Sequence, residues 1–273
     1  METIERIDDW RERFRRWQQG RSSNASSAQD GISDDYPFVE NKRAPFRPLR
    51  RALPMLNLAL VSSAGAFIDG TEPFDETAAA GDLTFREIPI EVEAEDLKFT
   101  VRGYDSSAVR QDINSQVPVE RLEEFSSNGI IGQLNPVWWS FCGFIPDAAS
   151  MTEELIPKLV ERIRRYEVQA ALLIPASRLC HQSVALLARS LEQNGIPTIM
   201  LAVDRDVAES VRPPRAVYYN GETGSVAGRP AWPEHQRRIL DETLRLLEPM
   251  DQPTVRKLVV ELGTEVQKSR GER

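Results

Sequence analysis

Apolar residues concentrate in short runs that predict the strands of an α/β fold. Two such runs, residues 171–174 and 198–203, flank an amphipathic segment at residues 182–193. The first run ends at Pro175, and the amphipathic segment ends at Asn194 and Gly195. This pattern predicts a strand, a helix and a second strand, with Cys180 in the turn that opens the helix.

Other apolar and periodic segments continue this alternation along the chain. Strands are predicted at residues 56–62, 85–90, 97–102, 130–134 and 216–219, the last of them at an edge of the sheet. Helices are predicted at residues 4–18, 119–127, 152–166, 233–247 and 254–267. Pro157 interrupts one of these helices and moves the start of its regular part toward the proline. Strands that alternate with helices are typical of an α/β fold, with a mostly parallel sheet sandwiched by helices.

The N-terminal segment has a different character from the rest of the chain. Residues 1–20 contain the first predicted helix, and residues 21–54 are predicted to be a linker followed by an extended wrap. The wrap, residues 36–54, holds four prolines and four arginines. Residues 55–273 are then expected to form the α/β domain, in one lobe or two.

Composition and charge exclude several classes of protein. The net charge of −8, without a basic stripe, argues against a nucleic-acid partner. No apolar run approaches the ~20 residues of a membrane span, and the charged N-terminus does not resemble a secretory signal. The two cysteines cannot form a disulfide framework, so a cytoplasmic location is expected. The two histidines are poor material for a metal site, and no glycine-rich phosphate loop is present. We therefore expect no metal and no cofactor.

Cys180 is either a reactive thiol or a buried residue that packs at the start of the helix, since free cysteine is often buried. A thiol beside the free N–H groups of a helix N-terminus is favoured in its thiolate form. The carboxyl ends of parallel strands meet at one edge of a sheet, where ligands bind. We therefore expect the two strand ends at residues 62–65 and 175–180 to lie side by side.

Several separated motifs resemble the component B family of glycine, sarcosine, betaine and D-proline reductases. They are LVSSAGAFIDGTEPFD, GDLTFREIP, YDSSAVRQDINSQVPVERLEEFSSNGIIG and LLIPASRLCHQSVALLARSLEQNGIPT, preceded by the wrap YPFVENKRAPFRPLR. The resemblance extends over residues 36–203, with the motifs in the same order.

The resemblance implies a redox site in the turn before the helix. In the family this turn carries a selenocysteine or cysteine, then two residues, then a cysteine. The selenolate displaces an amine from a substrate that a pyruvoyl-bearing subunit has activated as an imine. Other thiols, supplied by a thioredoxin-type reductant, then resolve the selenoether. In this chain the two positions are Ser177 and Cys180, so the pair needed for two-electron exchange is broken. The family's histidines near the YD motif and before the later SF-x-G motif are also absent from residues 101–106 and 138–143.

The remaining candidates each have a functional and a structural interpretation. His181 could activate Cys180 or point elsewhere, and Ser177 could bind substrate or cap the helix. Arg86 could bind a substrate carboxylate or pair with Asp82 or Glu87. Asp105, Asp112 and Asn114 could bind an amino or carboxylate group or form Asx turns. Cys142 could line the same crevice or fill the core. The two remaining candidates for substrate binding are Ser63 and Gly65.

Three functions remain open from the sequence. The first is thiol-dependent reductive chemistry on a small amino or carboxylate compound, with Cys180 as the surviving chalcogen and with a partner reductase subunit or a thioredoxin-type reductant. The second is a catalytically degenerate relative that binds a ligand or a partner. The third is a cofactor-independent isomerase or racemase that uses Cys142 and Cys180 as acid and base. The third needs two perturbed thiols facing each other.

Overall fold

Successive residues of the central strands enter two different apolar cores, one on each face of a sheet. Leu58 and Leu60 belong to one core, and Ala59 and Val61, between and after them, belong to the other. Strands buried on both faces must be covered by helices on both sides. The structure, a computed structural model that describes residues 5–21, 32–33 and 35–258, has this arrangement, which confirms the predicted α/β class with a mostly parallel sheet.

The sheet of the described residues has eight strands. Seven of them follow the order β10-β9-β8-β7-β1-β6-β3, and β5 also pairs with β1. All neighbours are parallel except β3 and β6. The strands are β1 Asn57–Ser62, β3 Arg86–Pro89, β5 Gln133–Leu134, β6 Val137–Ser140, β7 Ala170–Ile174, β8 Thr198–Ala202, β9 Arg215–Tyr218 and β10 Thr254–Lys257. Strands β2 Ala66–Ile68 and β4 Leu97–Phe99 form a separate antiparallel pair.

Helices pack on both faces of this sheet. Buried residues of α3 and α8 join the core that contains Leu58, and those of α5, α6 and α7 join the core that contains Ala59. The helices are α1 Ile7–Arg21, α2 Ser107–Gln111, α3 Val119–Ser127, α4 Ala148–Ser150, α5 Ile156–Arg165, α6 Arg178–Gln193, α7 Arg205–Val211 and α8 Pro233–Arg245. A π turn, Met151–Leu155, joins α4 to α5 just before Pro157, which has no N–H to donate to the preceding turn.

The predicted elements differ from the structure in four places. The helix expected at residues 254–267 is strand β10 over Thr254–Lys257, and residues 259–267 lie outside the described residues. Because β10 pairs with β9, the strand predicted at residues 216–219 does not form the edge of the sheet. The strand expected at residues 130–134 is reduced to Gln133–Leu134. Strand β6 was not predicted, because its aromatic residues are buried without an alternating pattern.

Two buried arginines hold the extended wrap on the domain. Arg189 donates to the carbonyl of Arg43, and Arg215 donates to the carbonyl of Arg47. Arg215 also pairs with Glu192 at 2.5 Å, with both side chains fully buried. Glu192 accepts in turn from the backbone N–H of Arg47. The wrap is therefore fixed by charged groups that the core itself supplies.

No helix within the described residues is long and apolar enough to cross a membrane.

Candidate functional site

The sheet reverses its strand order at β1, and the candidate site lies at this position. Strand β7 lies on one side of β1 and β6 lies on the other, and both are parallel to β1. The carboxyl ends of these three neighbouring strands therefore adjoin. Ser62 is in register with Ile174 of β7 and with Ser140 of β6. A switch in strand order of this kind creates the crevice in which α/β proteins bind ligands. The predicted adjacency of the two strand ends is confirmed.

The turn between β7 and α6 has most of its backbone polar groups bonded to distant parts of the chain. Gln116 Nε2 donates to the carbonyl of Pro175 at 2.9 Å, and the N–H of Ala176 donates to Ser63 Oγ at 3.0 Å. The N–H of Gly224 donates to the carbonyl of Ala176 at 2.8 Å. Buried backbone groups that are paired in this way resist rearrangement. The turn is therefore rigid and pre-organised.

Ser177 and Cys180 are in direct contact at the start of α6. Ser177 is the N-cap residue, and its Oγ accepts from the backbone N–H of Cys180 at 3.1 Å. The same hydroxyl donates to Cys180 Sγ at 3.0 Å. The thiol also lies 3.8 Å from the carbonyl oxygen of Ser63. The polar neighbours of this sulfur are therefore one hydroxyl donor and one carbonyl oxygen, at the N-terminus of a helix.

Gly143 closes the site from the β6 side. A Cβ atom at this position would lie 2.4 Å from Ser63 Cβ and 3.0 Å from Cys180 Sγ, so only glycine fits without displacing them. Its N–H donates to the carbonyl of Ser63 at 3.0 Å, and its carbonyl accepts from Ser183 Oγ at 2.7 Å. Gly143 thus fixes the distance between the end of β6 and the thiol.

His181 follows Cys180 in sequence, but both of its ring nitrogens face backbone groups. Nδ1 lies 2.7 Å from the carbonyl of Ser177 and must donate to it. Nε2 accepts from the N–H groups of Val203 and Asp204 at 3.0 and 3.1 Å. Burial lowers the pKa of this imidazole. In this geometry the ring is neutral and ties α6 to the end of β8, with no nitrogen directed at the thiol.

Cys142 comes just after β6, and Gly65 comes just after β1. Cys142 forms a bridge with Ala64, and its Sγ faces the carbonyl of Thr100 at 4.0 Å. Burial raises the pKa of Cys142 to about 12, so its thiol is strongly disfavoured as an anion. Gly65 has φ +72°, and a Cβ atom there would lie 2.4 Å from the carbonyl oxygen of Thr100.

Arg86 is away from the thiol and holds a loop. Its guanidinium donates to the carbonyls of Glu72 and Pro73 and lies 4.3 Å above the ring of Phe74. The ion pairs considered from the sequence are not formed, because Glu87 pairs with Arg162. Asp82 instead accepts from backbone N–H groups of its own loop.

Three polar candidates serve turns and caps, and Asp112 also accepts from the N–H of Ala231 and from Gln236 Nε2. Asp105 accepts from Ser107, Asp112 accepts from the N–H of Asn114, and Asn114 accepts from the N–H of Glu120. Of these, Asp105 is nearest to the site, since its carbonyl adjoins Gly224, which bonds to Ala176. The neighbouring residue that reaches the turn is Gln116, which the sequence did not single out. Its position two residues after the DxN motif was the only available signal.

The site is closed. Cys180 is 1% exposed, and Ser63, Ser177 and Cys142 are buried with it. Three surface cavities, of about 340, 750 and 390 Å³, are lined by none of these four residues. The cavity of about 750 Å³ includes Asp112 and Asn114. Within the described part of the chain, no group of histidine, cysteine and acidic side chains is arranged to hold a metal ion.

Fold and site together define an α/β protein with a buried cysteine at the switch point of its sheet. The family model for glycine/sarcosine/betaine reductase selenoprotein B (GRDB) matches residues 29–176. The chain is also 32% identical over 212 residues to D-proline reductase subunit gamma of Acetoanaerobium sticklandii, covering 78% of this chain and 86% of that protein. The chain therefore belongs to the glycine/sarcosine/betaine reductase selenoprotein B family.

Other relatives are longer than this chain. Glycine reductase complex component B subunit gamma of Symbiobacterium thermophilum is 26% identical over 235 residues, covering 81% of this chain and 53% of that protein. Sarcosine reductase complex component B subunit beta of Peptoclostridium acidaminophilum is 25% identical over 173 residues, covering 62% of this chain and 39% of that protein. The chain spans about half or less of these two proteins. No solved structure matches it.

Both histidines of the chain are held neutral, and we expect the fold to lose stability in acid for this reason. Burial and nearby arginines lower the pKa of His235 to about 4, and burial lowers that of His181. Below pH ~6.5 the unfolded chain binds more protons than the folded one, so the contribution of both histidines is complete above that pH and is lost as pH falls below it, for His235 down to about 4. The loss is at most about 1.4 kcal/mol per pH unit for each histidine.

Urea unfolding between pH ~7.5 and ~5 measures this loss, with His235→Gln as the matched variant. The variant's free energy of unfolding should depend less steeply on pH than that of the wild type. Equal slopes would show that His235 does not carry the effect.

Proposed function

We propose that the chain is a subunit of a reductase-type complex in which Cys180 is the reactive thiol toward a small amino or carboxylate compound. The observation that carries this proposal is the contact between Ser177 Oγ and Cys180 Sγ at the first turn of α6. The hydroxyl and the helix N-terminus stabilise a thiolate at the position where α/β proteins bind ligands. The names of the relatives as reductase subunits and complex components support the same assignment.

The chemistry balances only if reducing equivalents come from outside the chain. The Cys180 thiolate would attack the carbon that bears the amine, so that a carbon–sulfur bond forms and the amine leaves with its electron pair and takes up a proton. An external thiolate would then attack the sulfur, so that the carbon–sulfur bond breaks, the carbon is protonated and a mixed disulfide forms. A second external thiol would release Cys180, and two thiols become one disulfide. Ser177 cannot take either role, so a partner subunit or a thioredoxin-type reductant must supply both thiols.

A second candidate function is binding without turnover. The burial of Cys180 and the serine at the first chalcogen position favour a relative that uses the same scaffold to hold a ligand or a partner subunit. The isomerase alternative has less support. It needs Cys142 as a second acid or base, and burial raises the pKa of that thiol to about 12.

Alkylation rates of the two cysteines distinguish these functions. We expect iodoacetamide to modify Cys180 faster than Cys142 at every pH below ~9, as measured by mass spectrometry of the two peptides. Ser177→Ala should slow the reaction at Cys180 because it removes the hydroxyl that donates to the sulfur. Cys180→Ala identifies the signal, and the exposed Ser107→Ala is a matched serine control.

Two results would contradict the proposal. Faster modification of Cys142 would assign the reactivity to the wrong thiol. A Cys180 that stays unmodified up to pH ~9, with and without the Ser177 hydroxyl, would favour the binding function.

A further inference from the structure

Aromatic side chains from the N-terminal part of the chain pack beside the thiol site, against Cys142 and Leu179. Phe14 and Trp17 of α1, together with Tyr36 of the wrap, belong to one apolar cluster with Cys142 and with Leu179, the neighbour of Cys180. We call these three side chains the aromatic cover. All three are buried, and the ring of Trp17 meets that of Tyr36 edge-on at 5.1 Å. They therefore lie next to the end of β6 and the start of α6, the two elements that bring Cys142 and Cys180 to the site.

The aromatic cover is bonded to the first turns of α6. Tyr36 accepts a hydrogen bond from Gln182 Nε2 at 2.8 Å, and Gln182 lies two residues after Cys180. Tyr36 OH also donates to the carbonyl of Pro146 at 2.8 Å. Gln182 Oε1 accepts from the N–H of Val39, so a single side chain links the wrap to the helix that carries the thiol.

Helix α1 is held by less apolar contact than the other long helices. Among residues 7–20 of α1, Trp10, Phe14 and Trp17 are the buried ones, whereas most of α6 is buried. Two ion pairs add to this narrow row, that of Arg11 with Glu153 and that of Glu5, just before the helix, with Arg189. A helix with few buried contacts can open locally without unfolding the sheet.

The other segment near the site is the loop around Gly224, and it is bonded into the core. The N–H of Val226 donates to Gln116 Oε1, and the N–H of Ala227 donates to the carbonyl of Ser115. Of the two covering segments, α1 is therefore the one that can move.

We propose that α1 is an autoinhibitory cover that slows the reaction of Cys180 until it lifts. This inference concerns access to the sulfur of Cys180. It rests on the proposed function only for the purpose of that access. Lifting α1 removes Phe14 and Trp17 from Leu179 and opens the crevice at the ends of β1 and β7. The rigid turn at Pro175 and Ala176 stays in place, because none of its bonds comes from α1.

Trp17→Ala and Phe14→Ala test the proposal on the full-length chain. Each should raise the rate of Cys180 modification by iodoacetamide at least about tenfold, since truncating a buried aromatic side chain favours local opening. Arg16→Ala, a change on the exposed face of the same helix, should leave the rate unchanged. Arg11→Ala breaks the ion pair with Glu153 without touching the core and should give a smaller increase.

Low concentrations of urea separate local opening from global unfolding. Opening of α1 exposes little surface, so the faster rates should change little with urea, whereas global unfolding gives a steep dependence. Unchanged rates in Trp17→Ala and Phe14→Ala, or increases that appear only with the steep dependence, would overturn the proposal. If Trp17→Ala does not fold, Arg11→Ala and Phe14→Ala decide by the same criterion.

The same measurement separates this proposal from the proposed function. If all variants react at the wild-type rate and Cys180 still outpaces Cys142, the cover is refuted and the reactive thiol stands. If Trp17→Ala exposes Cys180 but Ser177→Ala makes no difference in that background, the cover stands and the activated thiol is refuted.

Discussion

A Ser177→Cys variant is expected to form a reversible disulfide with Cys180 and to keep its fold. Ser177 Oγ already lies 3.0 Å from Cys180 Sγ, across the N-cap and the first turn of α6. A disulfide needs a sulfur–sulfur distance of about 2.05 Å and Cα atoms within about 4.4–6.8 Å, which a C-x-x-C pair at a helix start satisfies. The substitution would restore the pair of redox groups that the family resemblance implies.

Mass spectrometry after mild oxidation should show the loss of two hydrogens, and dithiothreitol should reverse it. The control Ser177→Cys/Cys180→Ala cannot form this bond, and Ser177→Cys/Cys142→Ala should form it as readily as the single variant. Loss of the cap oxygen costs about 0.5–2 kcal/mol of stability, which the domain tolerates. Two free thiols after oxidation would count against the assignment of Ser177 to the first redox position.

Arg215→Met is expected to destabilise the fold by about 3–5 kcal/mol, because it leaves the buried carboxylate of Glu192 without its partner. Both side chains are fully buried, and Arg215 also donates to the carbonyl of Arg47. Burial raises the pKa of Glu192 to about 7 even beside Arg215. Without the guanidinium, the carboxyl binds its proton more tightly still. The free energy of unfolding that Arg215→Met loses should therefore grow as pH rises through and above ~7. The reason is that a group whose pKa is raised by folding stabilises the folded chain less as pH rises.

Urea unfolding at pH ~6 and ~8 measures both effects. Arg245→Ala is the matched control, because Arg245 pairs with Asp241 on the exposed face of α8, and such pairs contribute only about 0.3–0.5 kcal/mol. If Arg215→Met loses no more free energy of unfolding than Arg245→Ala, the ion pair of Arg215 with Glu192 does not hold the wrap.

The elements predicted best are those whose residues show their own periodicity. Helix α3 has the predicted bounds, and β1 differs by one residue, because local pattern and burial agree there. Strand β10 was predicted as a helix. The segment is a strand because it pairs with the free edge of β9, which is distant in sequence and leaves no local pattern. The same distance explains why β9 was expected at the edge of the sheet.

The parts of the site that depend on strand ends and helix starts could be predicted from the sequence. The adjacency of Ser63 and the turn after β7 follows from parallel pairing, and it was found. The environment of His181 was not predictable, because its ring faces the N–H groups of Val203 and Asp204, twenty-two and twenty-three residues further along. Gly143 was missed because its role depends on the packing of three strands.

The turn between β7 and α6 has a consequence for how such a site changes in evolution. The groups that shape it, Gln116, Ser63 and Gly224, are not the groups that react, and they bond to the turn through its backbone. A side chain can therefore be exchanged at position 177 while the chain path around it stays as it is. Separating the groups that set geometry from those that do chemistry lets one substitution alter redox capacity without a new fold, and lets the opposite substitution restore it.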